Sequence, residues 1–246
     1  MIELYKIAVV IPVWKRPDVL ALCLQNLAWF SNQVKTWEVH PLLVASPEDP
    51  DLKKIQKVAK LYGIQVVYYL NQPISAKLNA GIHYALKHME FDYLMNFGSD
   101  DLIHPDIETL FAPLFKANTL FFGVNNLWFY DLTDRSAWHF NTYNDIKAIG
   151  AGRMIHRSIV QSFIDVKRYP LYPNDIDRGM DTASSNAIWQ HLKVKDIVIN
   201  SGEFPYIVDL KTNTNINHMI YLKSITDRIK SRDAAELKRV YQHLPL

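Results

Sequence analysis

The first half of the chain alternates short apolar runs with longer segments whose apolar residues recur every three or four positions. Such runs indicate buried strands, and the periodic segments indicate helices with one buried face. The predicted strands are Ile7 to Ile11, Val39 to Val44, Gln65 to Leu70 and Asp92 to Asn96. The predicted helices begin at Pro17, at Asp49 and Pro50, at Ser75 and at Pro105. This order predicts an α/β fold with an open, mainly parallel twisted sheet flanked by helices.

The rhythm changes after Thr119, where an aromatic-rich stretch runs to Tyr130 and an irregular segment continues through Ile149. Two helical patterns follow at Ser158 to Ile164 and Thr182 to Leu192, with short strands near Ile197 and Ile207. No linker rich in Pro, Gly or Ser separates the halves, so we predict a single domain over residues 1–220.

Residues 221–246 form a basic tail with six Lys/Arg against three Asp/Glu. Its apolar residues, together with Ile220, are spaced to form a stripe along one or two helices: Ile220, Leu222, Ile225, Ile229, Leu237 and Val240. We therefore expect an amphipathic helical tail that packs on its own domain. Contact with a second copy, which would make a homo-oligomer, or with an anionic surface is the alternative.

Composition narrows the class of protein without defining it. Hydrophobic residues make up 49% of the 246 residues, which excludes disorder, and the net charge is only +2. Cys23 is the only cysteine, which excludes internal disulfides and Cys-rich zinc sites and favours a reducing, cytoplasmic location. The longest apolar run, Ile7 to Trp14, is too short to span a bilayer and makes a poor signal peptide, so we expect no integral membrane segment.

Two segments directly after predicted strands carry the candidate chemistry, because ligands of open α/β sheets bind beyond the carboxyl ends of the strands. One segment is Pro12 to Pro17, and the other is Gly98 to Pro105 with the adjacent carboxylates Asp100 and Asp101. Side chains alternate along an extended chain, so the two carboxylates are expected to point apart, one toward a divalent cation such as Mn²⁺ or Mg²⁺. The alternative is that both aspartates only form a turn and cap the next helix.

These segments, with Ser75 to Gly81, resemble family-2-like glycosyltransferases with the GT-A fold. Those enzymes share a strand ending in a Pro-aromatic-Arg-Pro stretch, a helix with an N-x-G element, and a D-x-D-D-type motif followed by proline. The resemblance covers residues 5–116 in order and runs more loosely to about residue 220. It implies a nucleotide-sugar-binding half at 5–116, an acceptor-binding half at 117–220, and metal-dependent transfer from a nucleotide-diphosphate sugar to an acceptor hydroxyl.

Residue by residue, the resemblance implies a donor site with Mn²⁺ or Mg²⁺ as cofactor. Its donor-binding residues would be Pro12, Val13, Trp14, Arg16, Lys77, Asn79, Gly81, Ser99, Asp100 and Asp101. Its metal ligands would be Asp100, Asp101 and His218. Two positions depart from the family pattern. Gly98 stands where the first motif aspartate is expected, which predicts weaker metal binding or fewer ligands, and Ala45 to Asp49 replaces an Asp-rich stretch, which leaves the nucleotide open.

The second half would supply the acceptor side. Asp181 resembles the family's acidic catalytic residue, which removes the proton of the attacking hydroxyl in an inverting transfer, with Asp177 as the substitute. The alternative for Asp181 is a helix N-cap. The other acceptor-side residues would be Gly150, Gly152, Arg153 and Arg178, and each arginine could pair with a phosphate or with a local aspartate.

Three functions therefore stay open at the level of sequence. The first is the glycosyltransferase, and the second is an inactive nucleotide-sugar-binding protein, which Gly98 favours. The third, a nucleotidylyltransferase, is disfavoured because no Gly-rich loop bearing Arg or Lys follows the first strand. The acceptor is open among glycans, lipid-linked sugars, proteins and modified DNA bases.

Overall fold

The computed structural model describes residues 4–140, 147–166, 169–173, 175–215, 219–225 and 228–246. Within these residues the strands are β1 (Tyr5–Pro12), β2 (Trp37–Ala45), β3 (Gln65–Tyr68), β4 (Tyr93–Asn96), β5 (Asp101–Ile103), β6 (Phe121–Val124), β7 (Leu127–Asp131), β8 (Ala137–Phe140), β9 (Met154–His156), β10 (Ile197–Ile199), β11 (Ile207–Lys211) and β12 (Ile229–Arg232). The helices are α1 (Pro17–Gln33), α2 (Leu52–Leu61), α3 (Ile74–His88), α4 (Ile107–Lys116), α5 (Arg157–Gln161), α6 (Met180–Leu192), α7 (Met219–Ile225) and α8 (Ala234–Val240). A π-helical turn, Ser162–Val166, continues α5.

The larger sheet has seven strands in the order β10-β6-β9-β4-β1-β2-β3. All of its pairs are parallel except those of β9 with β4 and β6. Ile7 to Ile11 of β1 are almost completely buried on both faces, as expected for the centre of a sheet covered by helices on both sides. Helices α1, α2 and α4 pack on one face, and α3, α5 and α6 pack on the other. The predicted α/β fold with a mainly parallel sheet is confirmed.

A second sheet, which the sequence pattern did not predict, has five strands in the order β12-β8-β7-β11-β5. Its pairs are antiparallel except for β7 with β11. The aromatic-rich stretch before Tyr130 supplies β6 to the first sheet and β7 to the second. The segment predicted to be irregular contains β8. These strands are short and buried, so they lack the polar alternation that makes a strand visible in sequence.

The C-terminal tail differs from its prediction. Residues 229–232 form β12, which pairs antiparallel with β8, so the tail is two short helices around a strand rather than helical throughout. Leu237 and Tyr241 are buried against the second sheet, which confirms packing on the chain's own domain. Ile220 is 78% exposed and stands outside the apolar stripe. The division at residue 220 stays a prediction.

Two helices begin at residues other than the predicted ones, and hydrogen bonds with residues distant in sequence lie beside both starts. Helix α2 begins at Leu52, and the Asp49 carboxylate accepts hydrogen bonds from the Lys15 and Asp51 backbone N–H groups. Helix α3 begins at Ile74, so Ser75 lies inside it. The Asp177 carboxylate accepts from the Ile74 backbone N–H at 2.8 Å. In the described part of the chain, no helix is both long enough and apolar enough to cross a membrane.

Candidate functional site

Two adjoining chambers open beyond the carboxyl ends of β1 and β4. The polar chamber, of about 560 Å³, is lined by Pro12, Val13, Trp14, Arg16, Asn71, Gln72, Ile74, Lys77, Gly98, Ser99, Asp100, Asp177, Arg178, Asp209, Lys211, Thr214 and Asn215. The apolar chamber, of about 720 Å³, is lined by Pro12, Leu78, Asn96, Phe97, Gly98, Asp100, Asp101, Leu127, Phe129, Phe140, Ile149, Gly150, Ala151, Tyr172, Met180, Asp181, Asp209, Lys211, Leu222, Arg228 and Ile229. Five residues line both chambers and form the shared wall: Pro12, Gly98, Asp100, Asp209 and Lys211.

Three carboxylates meet at the shared wall or beside it: Asp100 and Asp209 belong to the wall, and Asp101 lines only the apolar chamber. One oxygen of each of Asp100, Asp101 and Asp209 lies within 4.8 Å of the others. The expectation that Asp100 and Asp101 point apart is wrong, because the chain turns at Ser99 and Asp100 instead of running extended. Asp100 Oδ2 accepts hydrogen bonds from Arg16 Nη1 at 3.1 Å and from Asn215 Nδ2 at 2.8 Å. Asp101 Oδ2 accepts from the Gly98 N–H.

Asp209 is the site residue that the sequence pattern missed. It lies opposite Asp101 in the antiparallel pairing of β11 with β5. Its Oδ2 accepts from Lys211 Nζ, while its Oδ1 is buried without a hydrogen-bond partner. Burial raises the pKa of Asp209 to about 6, although Lys211 opposes the shift. Burial, followed by the charges of Asp209 and Asp100, raises the pKa of Asp101 well above its ordinary value.

This arrangement fits a divalent cation that prefers oxygen ligands. Three converging carboxylates are the ligand set that Mg²⁺ and Mn²⁺ favour, and the unpaired Asp209 oxygen lacks the partner that a buried polar atom normally has. The absence of a side chain at Gly98 leaves room for the carboxylates, since a Cβ there would lie 2.6 Å from Asp100 Oδ1. A side chain at position 98 would crowd the cluster, and Asp209 provides a third carboxylate from another strand.

The wall of the polar chamber carries several cationic groups. Lys77 is buried, and its Nζ donates to the Val13 carbonyl at 2.6 Å and to Asn71 Oδ1 at 3.1 Å. Burial lowers the pKa of Lys77 to about 8, against the opposing charges of Asp49 and Glu48. The guanidinium of Arg178 stands 5.2 Å from the centre of the Tyr221 ring. Pro12, Val13, Trp14, Arg16, Lys77, Ser99 and Asp100 thus lie together, as predicted for one site.

Asn79 and Gly81 lie outside the residues that line the two chambers. Asn79 Nδ2 donates to the Tyr172 carbonyl, and the Tyr172 N–H donates to Asn79 Oδ1, so this amide joins α3 to the chain before α6. A Cβ at Gly81 would come within 2.6 Å of Val44 and Val10 side chains. The two residues of the N-x-G element therefore support the walls through packing and line neither chamber.

On the apolar side, Asp181 is the second residue of α6, and its side chain is 33% exposed. It is not the N-cap, since Gly179 holds that position with a φ of 68°. A Cβ at Gly150 would lie 2.3 Å from Asp181 Oδ1, so the glycine lets the chain pass close to this carboxylate. Asp181 lines the apolar chamber together with Gly150.

Arg153 is fully buried and serves the structure around Asp181. Its Nη1 donates to the Asp181 carbonyl and to Ser185 Oγ, and its Nη2 donates to Ser184 Oγ. Nη2 also lies 3.6 Å from Asp181 Oδ1. Of the two partners considered for this arginine, a phosphate or a local aspartate, the structure shows the aspartate.

The remaining candidates divide between the chambers or lie apart from them. Asp177 and Arg178 line the polar chamber, although both were predicted on the acceptor side. Gly152 has a φ of 71°, and a Cβ there would lie 2.4 Å from Ile207 Cδ1, so it serves packing. His218 lies outside the described residues. The two candidate bases, Asp177 and Asp181, therefore face different chambers.

No protein-family model and no curated protein sequence matches the chain. Its fold is similar to that of S. aureus TarS, with a TM-score of 0.56 and 15% identity over 83% of this chain and 36% of that chain. TarS 1–349 in complex with UDP-GlcNAc gives a TM-score of 0.54 and 11% identity over 85% of this chain and 60% of that one. The likenesses show that this chain has the GT-A-like glycosyltransferase fold.

A third similar structure covers nearly the whole chain. The mannosyltransferase PcManGT from Pyrobaculum calidifontis, in complex with GDP-Man and Mn²⁺, has a TM-score of 0.57 and 12% identity over 98% of this chain and 71% of that one. The chain thus spans about a third of the TarS chain and about 60% of TarS 1–349.

Proposed function

We propose that the protein is a glycosyltransferase that moves a sugar from a nucleotide-diphosphate sugar to an acceptor hydroxyl with inversion at the transferred carbon. One observation carries this proposal: two of the three clustered carboxylates, Asp100 and Asp209, line both chambers, and Asp181 lines only the apolar one. Similar folds bind GDP-Man with Mn²⁺ and UDP-GlcNAc, which supports the same ligand class here.

The donor nucleotide would occupy the polar chamber. Trp14 offers an aromatic face for the base, and Lys77 and Arg178 offer positive charge to the diphosphate. Lys77 also joins the end of β1 to Asn71, so it holds one wall of the chamber in place. The sugar would then reach the shared wall, where the diphosphate leaves.

Asp100, Asp101 and Asp209 would hold Mn²⁺ or Mg²⁺ at the shared wall. When bound, the cation neutralises the charge that develops on the leaving diphosphate. Arg16 holds Asp100 and Lys211 holds Asp209, so both carboxylates are oriented before any ligand arrives. Such orientation favours binding of Mg²⁺ in particular, because Mg²⁺ requires a nearly ideal octahedral set of oxygen ligands.

Asp181 would act as the general base. The acceptor oxygen attacks the sugar carbon as its proton passes to the Asp181 carboxylate, and the bond to the diphosphate oxygen breaks on the opposite face. Arg153 lies beside Oδ1 and fixes the carboxylate on the first turn of α6. The backbone at Gly150 leaves the space in which this side chain lies.

The test combines calorimetry with product analysis. The full chain is titrated with UDP-GlcNAc, GDP-Man and further nucleotide sugars with and without Mn²⁺, and released nucleotide is measured by chromatography. We expect binding that requires Mn²⁺, with slow release of nucleoside diphosphate when water replaces the acceptor. Asp100→Asn is expected to lose the Mn²⁺-dependent binding, while Asp134→Asn, which removes an exposed carboxylate from the turn after β7, retains it.

Three results would contradict the proposal in different ways. Pyrophosphate as product would indicate a nucleotidylyltransferase. Mn²⁺-dependent binding without release of nucleoside diphosphate, with any acceptor offered, would favour the sugar-nucleotide-binding protein. Unchanged Mn²⁺-dependent binding in Asp100→Asn would show that the carboxylate cluster does not hold the metal.

A further inference from the structure

We infer that the acceptor is a small alcohol whose hydroxyl is carried by an apolar body, and that this body binds in the apolar chamber. The inference rests on the proposed function, because it names the substrate of the same site. It depends on which polar and apolar side chains line the apolar chamber. The donor-binding residues of the polar chamber play no part in it.

The chamber wall carries both acidic groups and apolar side chains. The acidic groups are Asp100, Asp101, Asp209 and Asp181. The wall also includes Asn96, Tyr172, Lys211 and Arg228, of which Tyr172 Oη donates to Asn96 Oδ1 and Lys211 Nζ donates to Asp209 Oδ2. Its main apolar surface comes from six side chains: Leu127, Phe129, Phe140, Ile149, Met180 and Leu222. Phe129 and Phe140 belong to neighbouring strands, and their ring centres are 6.2 Å apart. The chamber therefore offers an acceptor an apolar surface beside the carboxylates at which the reaction would occur.

A sugar acceptor gains little from this apolar surface. A glycan carries several hydroxyl groups, and each one buried without a partner costs about 1–3 kcal/mol. The six apolar side chains offer no hydrogen bond to such groups. An aromatic or aliphatic body gains free energy at the same surface, at roughly 25 cal/mol for each Å² removed from water. Only the attacking hydroxyl then needs a polar partner, and Asp181 can accept its proton.

The size of the chamber sets a limit on the acceptor. Its volume of about 720 Å³ is that of a site for a compact small molecule, within the usual range of roughly 300–1,000 Å³. Two kinds of alcohol share the required chemistry, those with an aromatic body and those with a branched aliphatic one. 2-(2-Naphthyl)ethanol represents the first kind and citronellol the second.

The experiment measures binding of these probes to the full chain by ligand-observed NMR, with methyl α-mannoside and methyl β-glucoside as polar alcohols. Leu222→Gln places a polar group in the chamber, and Ile220→Gln is the matched control on the same helix, because Ile220 is exposed. Met180→Gln makes the same change at a lining residue of another helix, α6, in case Leu222→Gln disturbs α7. Melting temperatures of all three variants are recorded alongside.

We expect the wild type and Ile220→Gln to bind at least one apolar alcohol equally well, and the polar glycosides not to bind. Leu222→Gln and Met180→Gln are expected to weaken that binding by about tenfold, because each removes one apolar side chain from contact with the ligand. Binding by naphthylethanol alone or by citronellol alone identifies which body the chamber takes. With a nucleotide sugar and Mn²⁺ present, the bound alcohol is also expected to increase nucleoside diphosphate release.

The inference is overturned if the glycosides bind and the apolar alcohols do not, or if Leu222→Gln and Met180→Gln bind the alcohols as Ile220→Gln does. Either result leaves the proposed function intact where Mn²⁺-dependent nucleotide-sugar binding and turnover persist. If the apolar alcohols bind but no nucleotide sugar does, the result supports an apolar binding site in this chamber and contradicts the transferase proposal.

Discussion

The two chambers meet at one wall but are built in different ways. The polar chamber takes most of its residues from short segments directly after β1 and β4 and around the start of α3, and several of its charges are already paired. The apolar chamber gathers residues from β7, β8, α6, α7 and β12, which are distant in sequence. The contrast suits a transfer reaction, because a departing diphosphate needs positive charge while the attacking hydroxyl needs a site without competing water.

The largest effect is expected from the core behind the second sheet, because that sheet supplies residues of the apolar chamber and of the shared wall. Leu237 is fully buried there, against the cluster that includes Trp128 and Leu210. Leu237→Ala should lower the free energy of unfolding by about 2–4 kcal/mol in urea titrations. Leu61→Ala, at a site 77% exposed, should change it by less than about 0.5 kcal/mol. Equal stability of the two variants would show that α8 contributes no packing.

The next largest effect concerns the two candidate bases, which line different chambers and should therefore affect different steps. Asp181→Asn should lower kcat by about 10² or more with unchanged donor affinity, because the base acts only in the chemical step. Asp177→Asn should instead weaken donor binding, since Asp177 lines the polar chamber and binds the first turn of α3. Single-turnover rates and donor titrations measure the two effects. Full turnover in Asp181→Asn with none in Asp177→Asn would show that Asp177, and not Asp181, is the general base.

A smaller effect is expected at the shared wall. Gly98→Ala should weaken Mn²⁺ binding by about ten- to hundredfold, because the added Cβ would lie 2.6 Å from Asp100 Oδ1 and overpacking of this kind costs roughly 1–3 kcal/mol. Gly98→Asp, which restores the family motif, should bind Mn²⁺ no better than the wild type for the same reason. Calorimetry with Mn²⁺ and a nucleoside diphosphate checks both variants. A gain in affinity with Gly98→Asp would mean that the cluster can open to admit a further carboxylate.

The smallest effect is a pH dependence confined to the polar chamber. The pKa of Lys77 is lowered to about 8 by burial, so its positive charge is lost as the pH rises through 8. Nucleoside diphosphate affinity in Mg²⁺ should then fall by less than about tenfold between pH 7 and 9. Lys77→Met should bind weakly with no such fall, whereas Lys57→Met, at an exposed site on α2, should follow the wild type. A wild-type profile that is flat over this range would exclude Lys77 as a source of charge for the diphosphate.

The pH dependence of the free energy of unfolding gives an independent check on the lowered pKa of Lys77. Its pKa is lower in the folded chain than the ordinary value of 10.5, so between about pH 8 and 10.5 the unfolded chain binds more protons. This residue's contribution to the free energy of unfolding therefore rises with pH in that window. The difference between wild type and Lys77→Met in urea titrations should follow the same trend.

Sequence alone determined the α/β class, the strands β1 to β4 and the gathering of Arg16, Ser99 and Asp100 at one site. It could do so because apolar periodicity reports burial along each element, and because the carboxyl ends of parallel strands share one edge of a sheet. The same reasoning failed for Asp100 with Asp101, where a turn replaces the extended chain that the alternation of side chains requires.

Only the tertiary structure decided the rest of the site. Asp209 joins the carboxylates because β11 pairs with β5 in a register that sets it opposite Asp101, more than a hundred residues away. Arg153 and Asn79 are held by partners 28 to 93 residues distant, and neither lines a chamber. Asp177 and Asp181 are four residues apart in the chain but line different chambers. Pairing register and long-range hydrogen bonds depend on which surfaces meet when the whole chain packs, and no local pattern of residues encodes that choice.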